Sequence, residues 1–266
     1  MNKKTTYSII IALLIILFWA IENFYTPATY SNNSGESSVS EFNPDYLPNT
    51  RGEQIVTHNY YMLAYSEPHE QAKWVAYVLK KTHLTYDDRE RPYFIEDPKV
   101  KSKSADWRNY KNSGYDRGHL CPAGDRRFSE QAYNETFYTS NISPQNRKFN
   151  AGIWNELEQK VRYWTKRYGQ VYVITGGVLE KGLPEIGSED VDVPKAFYKV
   201  ILKENNDNIE ALAFLIPNKD SNKNLQSFLV SIDELERVTG IDFLAKLSDK
   251  VEHDIESKVD KSGWKF

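Results

Sequence analysis

Six apolar side chains constrain this chain's fold more than any other feature. Between Ala151 and Tyr168 they fall at Ile153, Trp154, Leu157, Val161, Trp164 and Tyr168. That is the 3.6-residue spacing of a helix laying one stripe on a core. Gly169 stops it. A stripe holding two tryptophans needs a broad apolar surface opposite. The runs around it have the β-branched and aromatic content of strands: Ile55 to Tyr65, Trp74 to Leu79, Val171 to Gly177, Ala196 to Leu202 and Ala211 to Pro217. Ser231 is placed to cap a late helix, and Gly240 to Phe243 marks the turn into a short C-terminal one. Strands with a few helices packed on them predict a mixed α+β domain. Arg89 to Tyr115, broken by Pro92, Pro98, Asn109, Asn112 and Gly114, reads as a long loop. Loops of that length in a compact domain are often functional.

The N-terminus follows different rules. Lys3 and Lys4 precede thirteen apolar residues, Ile9 to Ile21, and no charge occurs from Thr5 through Ile21. A basic start before an apolar run predicts an exported chain, with residues 1–23 a signal peptide or an uncleaved membrane anchor. Residues 24–52, rich in Ser, Asn, Pro and Gly around Ser31 to Ser38, read as a flexible polar linker. Residues 53–266 then form the folded domain. Cys121 is the one cysteine, so no intramolecular disulfide staples it.

A net charge of −3 argues against polyanion binding by the chain as a whole. Between Lys101 and Arg127, however, seven basic residues face three acidic ones. That local excess suits phosphate. Within it stands Tyr115-Asp116-Arg117-Gly118-His119, followed by Asn141-Ile142-Ser143-Pro144-Gln145 and by a helix start holding Asn150, Trp154, Glu158 and Arg162. Phosphodiester hydrolysis needs an activated water, charge stabilisation on phosphoryl oxygens and help for the leaving oxygen. His119 can be neutral near pH 7 and act as general base. Arg117 and Arg162 offer planar forks for phosphate, although Arg162 is also spaced to pair with Glu158 one turn earlier. In a regular α-helix Asn150 and Glu158 stand about 80° and about 12 Å apart, too far to ligate one ion together. Asn150 can bind a cation directly while Glu158 holds one of its waters. Mg²⁺, which keeps several waters and takes few protein ligands, suits that division, and Mn²⁺ can substitute. Trp154 belongs to the core stripe. Cys121, two residues past His119, is a small buried thiol by type and lacks the surroundings of a cysteine nucleophile.

The D-R-G-H run, N-I-x-P-Q and N-x-x-x-W-x-x-x-E together resemble the DNA/RNA non-specific endonucleases of the ββα-metal type, over Gln54 to Glu256. The resemblance implies a largely antiparallel sheet core, a ββα-metal motif and one Asn as the direct metal ligand with a Glu behind it. It also implies a supporting role for Asn141 and an additional arginine from the preceding loop, for which Arg89 and Arg91 both qualify. Homodimers occur in that family; the sequence points to no interface and no inhibitor protein. The function expected is an exported, Mg²⁺-dependent endonuclease acting on DNA and RNA with little sequence preference. Two rivals stay open: a catalytically silent nucleic-acid-binding module of the same fold, and a phosphodiesterase acting on small nucleotides.

Overall fold

Strand 3 shows how the sheet is built. In the computed structural model, which describes residues 2–25, 29–30, 42–50, 52–205 and 208–266, the run Gln71–Lys80 is buried along nearly its whole length. Its Trp74, Ala76 and Val78 enter one apolar cluster, while Val75, Tyr77 and Leu79 enter another. The period-2 alternation of a strand thus feeds two cores, which is why this run lacks polar residues at every second position. Seven strands make up the sheet: β1 (Gln54–Thr57), β2 (Met62–Ser66), β3 (Gln71–Lys80), β6 (Gln170–Gly177), β9 (Ala196–Asn205), β10 (Asn208–Pro217) and β11 (Leu229–Val230). Their order is β1-β2-β3-β6-β9-β10-β11, and every pairing is antiparallel.

The predicted stripe covers one face. Helix α4 (Asn155–Tyr168) continues from α3 (Arg147–Phe149) through a π turn, Asn150–Trp154. Trp154, Leu157, Val161 and Trp164 all bury against Tyr77, Val173, Phe197, Ile201 and Phe214. Each such side chain contributes roughly 1.5–3 kcal/mol by leaving water. The C-terminal residues return to this face, where Trp264 lies 5.0 Å from Trp164 edge to face and the Trp164 indole donates to the Lys265 carbonyl. The opposite face takes α5 (Ile232–Thr239) and α6 (Asp249–Glu256), with Ile232, Leu235, Phe243 and Leu244 packing against Trp74, Tyr198 and Val200.

A separate antiparallel pair, β4 (Asp116–His119) and β5 (Ile142–Gln145), aligns His119 with Ile142 and Asp116 with Gln145. Asn146 then caps α3, its side chain accepting from the amides of Lys148 and Phe149. Strands β4 and β5 and the helix that directly follows β5 form a ββα unit. The connection between the strands carries α2 (Glu130–Glu135), and a small ladder joins β7 (Glu185–Ile186) to β8 (Val191–Asp192).

Several expectations shift. The run Ile55 to Tyr65 is two strands closed by a turn in which the His58 amide donates to the Tyr61 carbonyl. The long helix starts at Arg147 rather than Ala151, because the Asn146 cap precedes the apolar stripe. The C-terminal helix begins at Asp249, after Phe243 and Leu244 have turned into the core. The loop from Arg89 to Tyr115 holds a 3-10 turn, Trp107–Tyr110, and buries Phe94, Ile95, Val100, Ala105 and Tyr110. The polar run Ser31 to Ser38, expected to be a linker, lies outside the described residues. Within the rest of that stretch Phe42 and Tyr46 pack edge-on against Tyr172, so the folded body begins earlier than residue 53.

Helix α1 (Lys3–Phe24) contains a 19-residue window of mean hydropathy 2.0, none of it buried. By length and composition it could cross a membrane.

Candidate active site

Strand β4 sorts the D-R-G-H run by alternation. Arg117 and His119, two apart, share a face. The Arg117 guanidinium lies 4.6 Å from the centre of the Phe94 ring and 5.6 Å from that of Trp107. The His119 imidazole packs against Phe94 at 5.6 Å and edge-on to Phe137 at 4.9 Å. Gly118 points the other way. A Cβ there would meet Cδ of Gln145 at 2.1 Å, so the glutamine of N-I-x-P-Q lies where the strand has no side chain.

Asp116 opens the strand and accepts a 3.0 Å hydrogen bond from the Asn150 amide nitrogen. That bond fixes which end of the Asn150 amide is which. The nitrogen is committed to Asp116, and the carbonyl oxygen takes no part in that bond. Asp116, Arg117 and Asn150 line one cleft of about 440 Å³ with Arg91, Trp107, Tyr110, Lys111 and Tyr115. The two loop arginines lie differently. Arg91 stands on the cleft wall, its guanidinium 5.3 Å from the Phe94 ring. Arg89 turns away, donating to the Arg127 carbonyl and pairing with Asp87.

Electrostatics set the protonation of the ring. Burial, reinforced by Arg91 and Arg117, pushes His119 down to about 3, so the imidazole is neutral at pH 7. Its Nε2 is buried and makes no hydrogen bond. Burial and Arg91 also hold Arg117 below its usual value. Two guanidiniums that repel each other share one cleft, an arrangement an entering anion would relieve.

Asn141 is fully buried and does not reach the cleft. Its Oδ1 accepts from the Cys121 amide at 2.8 Å, and its Nδ2 donates to the carbonyls of Cys121 and Thr136. It clamps the chain two residues beyond His119. Cys121 itself is wholly buried, and burial pushes its thiol up to about 12. Such a thiol is no nucleophile.

Glu158 and Arg162 are not on the cleft wall. Arg162 Nε donates to Asp125 at 2.5 Å and its Nη2 reaches Glu158 at 3.5 Å. Burial pushes Glu158 up to about 7, against the pull of Arg162 and Lys199. Burial opposes the charge on Arg162 too, but Asp125 and Glu158 more than offset it. Lys199, fully enclosed between helix and sheet, is pushed down to about 8 by burial; it donates to Thr175 and sits 4.7 Å over the Trp154 ring. The salt-bridge alternative for Arg162 is therefore present in the structure, extended through Asp125. Arg162 borders a separate depression with Gly124, Arg127 and Lys166.

The π turn alters the relation between Asn150 and Glu158. Backbone at Gly152 (φ −100°, ψ −112°) opens the helix there. The regular-helix offset of about 80° therefore does not carry across this turn. Asn150 lines the cleft, while Glu158 lies farther down the helix among Arg162, Asp125 and Lys199. Direct ligation of one ion by both stays out of reach.

Sequence reasoning passed over Asp116, Asp125 and Lys199 as site-builders. Lys199 left a signal, a lone charge inside the apolar run Ala196 to Leu202. Asp116 left one as well, in the strand alternation that separates it from Arg117.

The sequence profile of the DNA/RNA non-specific endonucleases matches residues 38–250, and the chain belongs to that family. It is 36% identical over 236 residues to a protein of Danio rerio named "Nuclease EXOG, mitochondrial", covering 82% of this chain and 68% of the relative. To the protein of that name in Xenopus laevis it is 36% identical over 218 residues, covering 76% and 60%. The chain thus spans about two thirds of these relatives' length. Among solved structures, EndoG in its complex with the inhibitor EndoGI superposes with a TM-score of 0.70 at 32% identity, over 78% of this chain and 92% of that one. That neighbour shares the α+β architecture with the large antiparallel sheet.

Proposed function

We propose that the chain is a metal-dependent endonuclease that hydrolyses phosphodiester bonds of DNA and RNA with little sequence preference. The observation that carries this reading is one cleft holding Arg91, Arg117 and an Asn150 oriented by Asp116, beside a neutral His119. Arg91 and Arg117 hold a backbone phosphate, and phosphate contacts carry no base information. That is the physical basis for indifference to sequence. With Nε2 buried, His119 uses Nδ1 to take a proton from water. Burial depresses its basicity most and Arg91 and Arg117 next; an entering phosphate offsets the arginines' share and so strengthens the base.

The donor atoms fit a hard cation. Asn150 lines the cleft with its nitrogen held by Asp116, so its carbonyl oxygen would take the ion, and Glu158, on the helix that follows, would hold one of the ion's waters. Mg²⁺ would polarise the phosphoryl oxygens and stabilise the departing oxygen; Mn²⁺ offers the same chemistry. Asn141 keeps His119 in place through the backbone, and Arg162 with Asp125 steadies Glu158. The exposed apolar helix α1 supports export, with the body released or tethered outside the membrane.

The test is a substrate panel: supercoiled plasmid, single-stranded RNA and a small phosphodiester, each with Mg²⁺ and with excess EDTA. Degradation of both polymers, stopped by EDTA, supports the nuclease. Binding without cleavage across Mg²⁺, Mn²⁺ and Ca²⁺ would favour a silent module, and turnover of the small ester alone a small-nucleotide phosphodiesterase.

A further inference from the structure

On the sheet face opposite His119, α5 and α6 bring three carboxylates together without a counter-charge. One oxygen each from Asp233, Glu236 and Glu256 lies within 4.8 Å of the other two. Asp233 is exposed, but Glu256 is 5% exposed and its Oε1 is buried with no hydrogen-bond partner. Glu236 accepts from the Phe243 amide. Arg237, the basic residue of the α5 last turn, is bound to Glu234 instead. Among the described residues, no lysine or arginine forms an ion pair with any of the three. Asp242 and Glu252 add further negative charge around them.

A buried carboxylate oxygen without a partner is costly, and like charges around it add to the cost. We infer that Asp233, Glu236 and Glu256 form a divalent-cation site, suited to Ca²⁺, that ties α6 to α5. Oxygens no more than 4.8 Å from one another are close enough to share one ion at the roughly 2.3–2.6 Å of Ca²⁺–oxygen contacts. An all-oxygen donor set suits a hard ion and not a thiol- or imidazole-seeking one. Water completes the sphere on the side where Asp233 meets solvent. The chain beyond α6 crosses to the other face, where Trp264 and Lys265 dock on Trp164 of α4. An ion clamping α5 to α6 therefore steadies the C-terminal segment that packs on the helix bearing Glu158. The inference is independent of the nuclease reading.

The test is thermal unfolding of the full chain in detergent micelles, freed of metal and titrated with CaCl₂, for wild type, Glu256→Gln, Asp233→Asn and Asn150→Ala. Wild type should gain about 5–10 °C in Tm at a hundredfold excess over Kd, with Kd roughly in the 10⁻⁵ to 10⁻³ M range for such a site. Asn150→Ala should keep the gain, while Glu256→Gln and Asp233→Asn lose it. Asp233 is exposed, so its variant folds even if the buried one does not. A wild-type Tm indifferent to Ca²⁺, or a gain that survives in Asp233→Asn and vanishes in Asn150→Ala, would overturn the site. The first result would mean that the carboxyls share protons, the second that Ca²⁺ binds the cleft alone.

Discussion

Single side chains divide the work of the cleft between charge and orientation. Asp116 touches Asn150 and, in this account, no substrate; its carboxylate matters because it commits the Asn150 nitrogen and frees the oxygen. Partners behind a metal ligand typically affect affinity 10–100-fold. Asp116→Ala should therefore raise the Mg²⁺ concentration for half-maximal cleavage by about that factor, and Asn150→Ala by at least as much. An unchanged Mg²⁺ titration for either would end the ligand assignment. Glu158 and His119 can be separated by pH. Burial pushes Glu158 up to about 7, so its water-holding carboxylate form is scarce below pH 7 and prevails above it. His119 is neutral throughout that range. At limiting Mg²⁺, cleavage should rise with pH through about 7 as the metal-free Glu158 ionises, and Glu158→Gln should flatten that limb at a lower plateau. A limb that persists in Glu158→Gln would assign it to another group.

Elements supply what no single residue can: the strand places Arg117 beside His119, and the π turn breaks the regular helical offset between Asn150 and Glu158. Both were only partly legible in the sequence. The stripe from Ile153 to Tyr168 announced the helix, yet counting regular turns from it put Asn150 and Glu158 about 80° apart, because the irregular turn at Gly152 leaves no mark on apolar spacing. Strand β4 was missed as a strand, since a run of Asp, Arg, Gly and His has no strand propensity; pairing with β5 and the aromatic wall of Phe94 and Phe137 hold it extended. Gly118 ties the two motifs to each other: with Cδ of Gln145 only 2.1 Å from where its Cβ would stand, alanine fits only if the buried Gln145 side chain moves aside. Gly118→Ala should destabilise the fold by about 1–3 kcal/mol in chemical denaturation. Adding Gln145→Ala should recover part of that loss. Additive losses in the double variant would show that the two residues are not in contact as described.

Across the whole molecule, two cores on the two faces of one sheet hold the cleft from behind. The strand and helix runs predicted this mixed α+β architecture. The sequence could not choose between Arg89 and Arg91, because both precede Phe94 and only the path of the loop puts Arg91 on the cleft wall. It also could not show that Arg162 closes on Asp125, a contact between residues 37 positions apart. Everything in the proposed chemistry converges on the neutral imidazole beside two arginines. The most direct measurement is the single-turnover rate of plasmid cleavage at saturating Mg²⁺ for His119→Ala against wild type, with circular dichroism to confirm equal folding. Loss of the general base should slow cleavage about 10²–10⁴-fold with binding retained. A folded His119→Ala protein that cuts at the wild-type rate would contradict the account.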